Sequence, residues 1–167
     1  PRVGESLRRA LEHRLTILQA GAGYGKSTAL AAVAAELAEA GQPPIWCQVG
    51  AEDGDPLVLL LHICYAVEQA LPGVTDLPVA AIEAWDGSQG PLPWAGLLDQ
   101  LINALSRGLT TPVLLILDDV HQVIDSGDIP RLLDRLVTLA PAHLHILLAG
   151  RPTLRLPGLA RWRAQGD

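Results

Sequence analysis

One lysine in this chain stands where it could bind a phosphorylated ligand. Lys26 is the only lysine among 12 basic residues, and it directly follows a glycine-rich segment, residues 20–25. A lysine ammonium is a compact point charge on a flexible stem, which the planar fork of arginine does not replace in a tight loop. Because the chain otherwise uses arginine for positive charge, this position indicates a specific role for the lysine.

The residues around Lys26 match a phosphate-binding loop. The pattern is G-x-x-x-x-G-K-[ST], and residues 20–27 fit it except that Ala20 replaces the first glycine. An alanine is compatible with that position if its φ stays negative. The segment would follow a strand and open a helix, where backbone N–H groups and the helix dipole converge on an anion. The alternative is a glycine-rich turn with a solvent-facing lysine.

This loop predicts specific nucleotide contacts. Gly23 and Gly25 would let the backbone curl around a β-phosphate, and Lys26 would reach the β- and γ-phosphates. The Ser27 hydroxyl would ligate Mg²⁺. The full set of expected nucleotide-binding residues is Gly21, Ala22, Gly23, Tyr24, Gly25, Lys26, Ser27 and Thr28.

A second motif, which ends in two acidic residues, lies about 90 residues downstream of the phosphate-binding loop. Residues 113–117 are all apolar and are followed by Asp118 and Asp119, which is the Walker B pattern. Asp118 would hold Mg²⁺ through a water, since Mg²⁺ keeps several waters when bound. Asp119 would act catalytically by polarising the attacking water, and a second acid here favours hydrolysis over simple binding. The alternative is a helix cap or a turn after the strand.

Two further side chains are candidates for the same region. Arg151 comes directly after a predicted fourth strand and could contact the third phosphate through charge-assisted hydrogen bonds, which gives it a catalytic assignment. The alternative is a surface arginine in a loop. His121, two residues after Asp119, could approach the same place or could be a structural loop histidine.

Strand and helix patterns alternate along the chain. Four short apolar runs predict strands, and segments rich in helix formers lie between them. The predicted strands are 15–19, 45–49, 113–117 and 144–149, and the predicted helices are 26–40, 57–71, 94–107 and 130–139, with a short helix at 79–85. This order predicts an α/β fold with a mainly parallel sheet and one domain over residues 1–167.

Composition narrows the classes of function. A net charge of −6 and an aromatic content of 4% argue against direct nucleic-acid contact by this segment. The sequence contains no apolar run long enough to span a membrane. Cys47 and Cys64 lie in apolar stretches, which predicts buried free thiols in a reducing cytoplasm. The acids Glu52, Asp53 and Asp55 are expected to cap and solvate a loop rather than bind metal.

Several segments in order resemble one family. Residues 20–30 resemble the phosphate loop of the STAND class of signal-transduction ATPases, and more narrowly that of large ATP-binding LuxR-type regulators such as the maltose-regulon activator. There the loop commonly reads A-P-A-G-Y-G-K-T, so alanine is normal at the first position. Residues 115–121 are similar to L-V-L-D-D-Y-H, residues 147–152 to L-V-L-A-S-R, and residues 159–166 to L-A-R-L-R-A-x-G. The resemblance matches Arg151 to a sensor arginine.

The resemblance implies a cytoplasmic switch that binds ATP or ADP with Mg²⁺. It implies a P-loop NTPase three-layer sandwich with sheet order 1-4-3-2, from which the fifth strand of the related fold is missing, and a chain that is a fragment of a larger regulator. The expected partners are other domains of the same polypeptide and, with ATP bound, other copies. Residues 1–5 stand where the family has an adenine-contacting arm, although their match is poor.

Two other functions remain open from the sequence. A small-molecule kinase also needs a phosphate loop and Mg²⁺, although neither a basic lid segment nor an acceptor-site base is evident. A non-catalytic interaction module that holds ADP permanently would keep the loop without turnover. Phosphate release without an added acceptor, and nucleotide retained through purification, would separate these alternatives from a regulatory ATPase.

Overall fold

A computed structural model describes residues 9–152, 158, 160 and 161. The predicted adenine-contacting segment, residues 1–5, lies outside this range, as does most of the segment 159–166. Among the described residues, no helix combines the length and the apolar character that crossing a bilayer requires.

The fold is organised around a four-stranded parallel sheet. The strands are β1 (Leu15–Gln19), β2 (Ile45–Gln48), β3 (Val113–Asp118) and β4 (Leu144–Gly150), and their spatial order is β1-β4-β3-β2. This confirms the α/β class, the parallel sheet and the order 1-4-3-2. Because the strands are parallel, all four carboxyl ends meet at one edge of the sheet.

Within residues 9–152, five α-helices connect or flank the strands. They are α1 (Lys26–Glu39), α2 (Pro56–Ala70), α3 (Val79–Glu83), α4 (Trp94–Gly108) and α5 (Ile129–Leu139). Their bounds agree with the predicted ones to within two residues. Three 3-10 turns, Arg9–Glu12, Ala51–Gly54 and Val120–Gln122, were not predicted, because so few residues leave no periodic apolar pattern in a sequence.

The two faces of the sheet are covered unequally. Helices α2, α4 and α5 build a large apolar core against one face, to which Leu115 and Leu117 of β3 point. Helix α1 covers the other face with a smaller cluster that includes Leu30, Val33 and Ile116. All six residues of β3 are buried, as expected of a central strand with helices on both faces. The predicted three-layer arrangement is therefore confirmed.

The loop after β2 carries two acids with different roles. Asp55 caps α2, since its Oδ1 accepts a hydrogen bond from the N–H of Leu57 at 2.8 Å. Asp53 also caps, because its Oδ2 accepts from the Gly50 N–H at 2.8 Å. However, Asp53 is fully buried rather than solvated as expected, because the 3-10 turn that contains it packs against α2. Its Oδ1 lies 2.5 Å from Nδ1 of His62.

Both cysteines are buried free thiols, as the sequence predicted. Burial raises the pKa of each thiol to about 12, with a smaller contribution from the charge of Asp53 at Cys47 and from that of Glu68 at Cys64. Thiolate is the reactive form of cysteine, so these residues serve packing rather than chemistry.

Candidate functional site

A cleft of about 350 Å³ lies at the carboxyl edge of the sheet. This volume is within the range of small-molecule sites. The cleft brings together parts of the chain that are far apart in sequence: the loop after β1, the start of α1, and the ends of β3 and β4. Its lining consists of Ala20, Gly21, Ala22, Gly23, Gly25, Lys26, Ser27, Thr28, Asp119, His121 and Arg151.

The glycine-rich loop has the backbone shape that the sequence predicted. Gly23 and Gly25 have φ values of +82° and +73°, which favour glycine because it has no Cβ. Among the described residues other than glycine, only Asp76 and Asp119 have positive φ, so Ala20 keeps the negative φ that it needs. The replaced first glycine is therefore compatible with the loop.

The loop leads into the amino end of α1. Gly25 is the N-cap, and the N–H of Ala29 donates to the Gly25 carbonyl at 2.9 Å. The N–H groups of residues 25–28 precede this first helical bond, so they have no acceptor within the helix. These groups and the helix dipole together favour an anion at this end of the cleft.

Tyr24 differs from its neighbours in the loop. Its side chain is 84% exposed and is not part of the cleft lining. Its backbone N–H donates to the Gly21 carbonyl at 3.3 Å and so closes a turn within the loop. The nucleotide contact expected of Tyr24 therefore stays a prediction about its backbone, which here forms part of the turn.

Lys26 bridges the two Walker B acids. Its Nζ donates to Oδ1 of Asp118 and to Oδ1 of Asp119, the latter at 2.9 Å. Asp118 is only 1% exposed and Lys26 is 10% exposed. Partial burial works to lower the pKa of Lys26, but the hydrogen bonds and charges of the two carboxylates outweigh it and raise the pKa above its ordinary value. The ammonium is therefore firmly protonated.

Asp119 is held in a strained position. Its backbone is left-handed, with φ +60° and ψ +35°, which aspartate tolerates better than most residues. Its N–H donates to Oδ1 of Asp118 at 2.8 Å, and its Oδ2 accepts from Nε2 of Gln48 at 2.7 Å. Burial works to raise the pKa of Asp119, but hydrogen bonds from Lys26 and Gln48 outweigh it and lower the pKa below its ordinary value.

Gln48 is the site residue that sequence reasoning missed. It was treated only as part of a strand, although it is the exposed last residue of β2. The signal was available in the predicted sheet order, because β2 neighbours β3 and the register pairs Gln48 with Asp118. A polar residue at the carboxyl end of a strand next to the Walker B strand is placed to contact its acids.

His121 and Arg151 both reach the cleft. His121 lies in the 3-10 turn after β3, and Arg151 follows β4 directly and is exposed. The Nδ1 of His121 lies 3.9 Å from Oδ1 of Asp119. The structure therefore brings the catalytic candidates Asp119 and Arg151 to one cleft with the phosphate loop.

The cleft has ligands suited to a magnesium ion that also binds phosphate. Ser27 and Lys26 line the cleft, and the Asp118 carboxylate accepts a hydrogen bond from Lys26. Within the described part of the chain, no cluster of three or more His, Cys, Asp or Glu residues could hold a metal ion. An ion held here by Ser27 and Asp118 would take phosphate and water as its other ligands, which is the usual manner of Mg²⁺.

Part of a known protein is similar in sequence to this chain. Over 125 residues the chain is 25% identical to the serine/threonine-protein kinase PknK of Mycobacterium tuberculosis, and the same holds for PknK of Mycobacterium bovis. The match covers 75% of this chain but only 11% of the kinase.

A solved structure and a family also match. The ORC1 protein of Aeropyrum pernix, solved in complex with DNA, superimposes with a TM-score of 0.58 at 18% identity, covering 91% of this chain and 37% of ORC1. At this identity the likeness concerns the fold alone. The AAA domain pattern matches residues 9–156, which is most of the sequence, and the chain therefore belongs to the AAA domain family.

Proposed function

We propose that this chain binds ATP or ADP with Mg²⁺, hydrolyses ATP slowly, and serves as the switch domain of a signal-responsive transcriptional regulator. The observation that carries the nucleotide part is the Lys26 ammonium, held on Asp118 and Asp119 in the glycine-loop cleft. It is the one lysine of the chain, and it stands between a helix amino end and two carboxylates.

Each part of the cleft has a role in this proposal. Residues 21–28 wrap the phosphates, and Lys26 moves from the carboxylates to the β- and γ-phosphates. Ser27 and Asp118 hold Mg²⁺, which neutralises charge that develops on the phosphates. Asp119 orients the attacking water. Arg151, at the end of β4, contacts the terminal phosphate and so distinguishes ATP from ADP.

The regulatory part of the proposal rests on the STAND-class and LuxR-type resemblance. The segments 115–121 and 147–152 place an Asp-Asp-x-His motif and an arginine at the ends of adjacent strands, which is the arrangement that the resemblance implies. We propose that ATP favours self-association and that ADP favours a closed form that contacts other domains of the same cytoplasmic polypeptide. In this proposal the segment itself does not contact nucleic acid.

Calorimetric titration of Lys26→Ala with ATP·Mg²⁺ tests the nucleotide-binding site. Each hydrogen bond to a charged phosphate is worth about 1.5–3 kcal/mol, so we expect affinity to fall roughly 10- to 150-fold. Arg107→Ala is the matched control, because it removes one positive charge from an exposed position on α4 outside the cleft. Unchanged affinity in Lys26→Ala would remove the proposed function.

Turnover separates hydrolysis from its alternatives. Phosphate release from ATP without any acceptor supports the ATPase, whereas release that needs an added acceptor supports a kinase. Asp119→Asn should keep ATP binding while losing turnover. Nucleotide that survives purification, together with no turnover in the wild-type chain, would instead support a module that holds ADP.

A further inference from the structure

His121 has an unsatisfied polar atom beside the cleft. Its side chain is 15% exposed, and its Nδ1 is buried without a hydrogen-bond partner among the residues that the structure describes. Such atoms are uncommon in folded proteins, because they lose water without gaining another partner. The imidazole is thus held in place by the fold, while one of its ring nitrogens has no hydrogen bond in this arrangement.

A carboxylate oxygen lies just beyond hydrogen-bond range of this nitrogen. Oδ1 of Asp119 is 3.9 Å from His121 Nδ1, and the same oxygen accepts from Lys26 Nζ at 2.9 Å. The other oxygen of Asp119 accepts from Gln48. Oδ1 therefore depends on the lysine for its hydrogen bond from a side chain in this arrangement.

We propose that His121 replaces Lys26 as the hydrogen-bond partner of Asp119 when nucleotide binds. This inference rests on the proposed function, in which Lys26 leaves the carboxylates for the phosphates. His121 Nδ1 needs to approach Oδ1 by only about 1 Å to reach hydrogen-bond distance. His121 would then hold one oxygen of Asp119 and Gln48 the other, so that the carboxylate keeps its orientation toward the attacking water.

A neutral imidazole is sufficient for His121 to replace Lys26 as the donor to Asp119. A neutral histidine with its proton on Nδ1 is a donor on that side. The charged groups around the ring are Asp119, with Asp118 and Lys26 behind it, and Arg151 on the same cleft. His121 acts on Asp119 and not on the substrate, so it is a positioning residue.

Proton and nitrogen NMR of the imidazole tests the exchange without nucleotide. In Lys26→Met the donor to Asp119 Oδ1 is gone, so we expect a His121 Nδ1–H signal that is downfield and protected from solvent exchange. Lys26→Met/Asp119→Ala should lack this signal. His143→Ala, which replaces an exposed histidine outside the cleft, should leave the signal unchanged.

If Lys26→Met is poorly folded, the wild-type chain with ADP·Mg²⁺ should show the same signal. Absence of the signal from a folded Lys26→Met, or from the ADP·Mg²⁺ complex, would overturn the proposal.

Side-chain replacements provide the second test. Asparagine places an N–H close to the Nδ1 position, whereas alanine has no donor. We expect His121→Ala to slow single-turnover hydrolysis roughly 10-fold, the loss of one hydrogen bond to a charged group, with ATP affinity nearly unchanged. His121→Asn should recover most of the lost rate. Equal losses in the two variants would contradict the positioning role.

The outcomes separate this role from the proposed function. Unchanged ATP affinity in Lys26→Ala removes the proposed function. Normal loss of affinity in Lys26→Ala, with the Nδ1–H signal missing from a folded Lys26→Met or from the ADP·Mg²⁺ complex, removes only the role of His121. If the wild-type chain releases no phosphate, the imidazole signal alone decides.

Discussion

Two groups of acidic and basic side chains in this molecule differ in how their charges are matched. In the cleft, the single ammonium of Lys26 is shared between Asp118 and Asp119. Between α4 and α5, Arg135 and Asp99 form a one-to-one bidentate pair, with N···O distances of 2.8 and 2.6 Å. The cleft group has an excess of negative charge, and its Asp118 is buried, its Lys26 is 10% exposed and its Asp119 is 32% exposed, whereas the helix pair is balanced and is about 40% exposed.

This difference distinguishes a group that is suited to exchange partners from one that is not. The Arg135–Asp99 geometry satisfies both partners, and water already screens it, so a ligand would gain little by disturbing it. In the cleft, a polyphosphate with Mg²⁺ offers Lys26 more negative charge and offers Asp118 a stronger cation. We infer that the unequal charge count in the cleft is what makes its lysine available to a ligand.

The largest predicted effect on stability comes from removing the lysine from the group that Lys26 forms with Asp118 and Asp119. Lys26→Met leaves Asp118 buried without its cation, and loss of one member of a buried pair typically costs about 3–5 kcal/mol. We therefore expect a large drop in the free energy of unfolding, measured with urea in the absence of nucleotide. Asp118→Leu in the Lys26→Met background should restore much of that loss. Additive losses in the double variant would show that the two side chains are not coupled, and the comparison would fail.

How much of this site the sequence could predict depends on where its contacts come from. The loop, the helix start and the strand that carries Asp118 follow from glycine spacing and apolar runs, which are local patterns. The Lys26–Asp118 contact spans 92 residues and required a predicted sheet order as well. That order also places Gln48 next to Asp118, but no local pattern marks a glutamine at a strand end as functional.

Other features follow from tertiary packing alone. Complete burial of Asp53 results from a 3-10 turn packed against α2, which a run of acids in a sequence does not indicate. The left-handed backbone of Asp119 results from the turn that follows β3. Both are local departures from what the residue types favour, and they lie at or near the sheet edge that forms the cleft.

Replacing the acid that caps α2 should lower the free energy of unfolding less than Lys26→Met does. Asp55 caps α2 by accepting a hydrogen bond from a backbone N–H. Its replacement therefore measures the free energy of a capping hydrogen bond rather than that of an ion pair. We expect Asp55→Ala to lower the free energy of unfolding by about 1 kcal/mol, and Asp55→Ser to lower it much less, because serine also caps. Equal losses in the two variants would indicate that the negative charge itself, rather than the cap, stabilises α2.

Lowering the pH should weaken both the cleft group and the Arg135–Asp99 pair. The pKa of Asp119 is lowered because Lys26 and Gln48 outweigh its burial, and the pKa of Asp99 is lowered chiefly by its hydrogen bonds to Arg135. A carboxylate with a lowered folded-state pKa stabilises the fold above its unfolded-state pKa of about 4, and this stability is lost as pH falls through the folded-state value. Asp119→Asn and Asp99→Asn should each make the free energy of unfolding fall less steeply at low pH. If it falls as steeply in both variants as in the wild-type chain, other acidic residues cause the loss of stability.

The smallest effect is expected at the helix pair. Arg135→Ala removes a bidentate but solvent-screened ion pair, so we expect only a slight change in the free energy of unfolding, which shrinks further as salt is added. ATP affinity should not change, because neither Arg135 nor Asp99 lines the cleft. Thermal unfolding at low and high salt, with calorimetry alongside, measures both quantities. A loss as large as that of Lys26→Met would mean that balanced exposed pairs hold this fold as strongly as the cleft group does. The excess negative charge in the cleft would then no longer explain why its lysine is free to exchange.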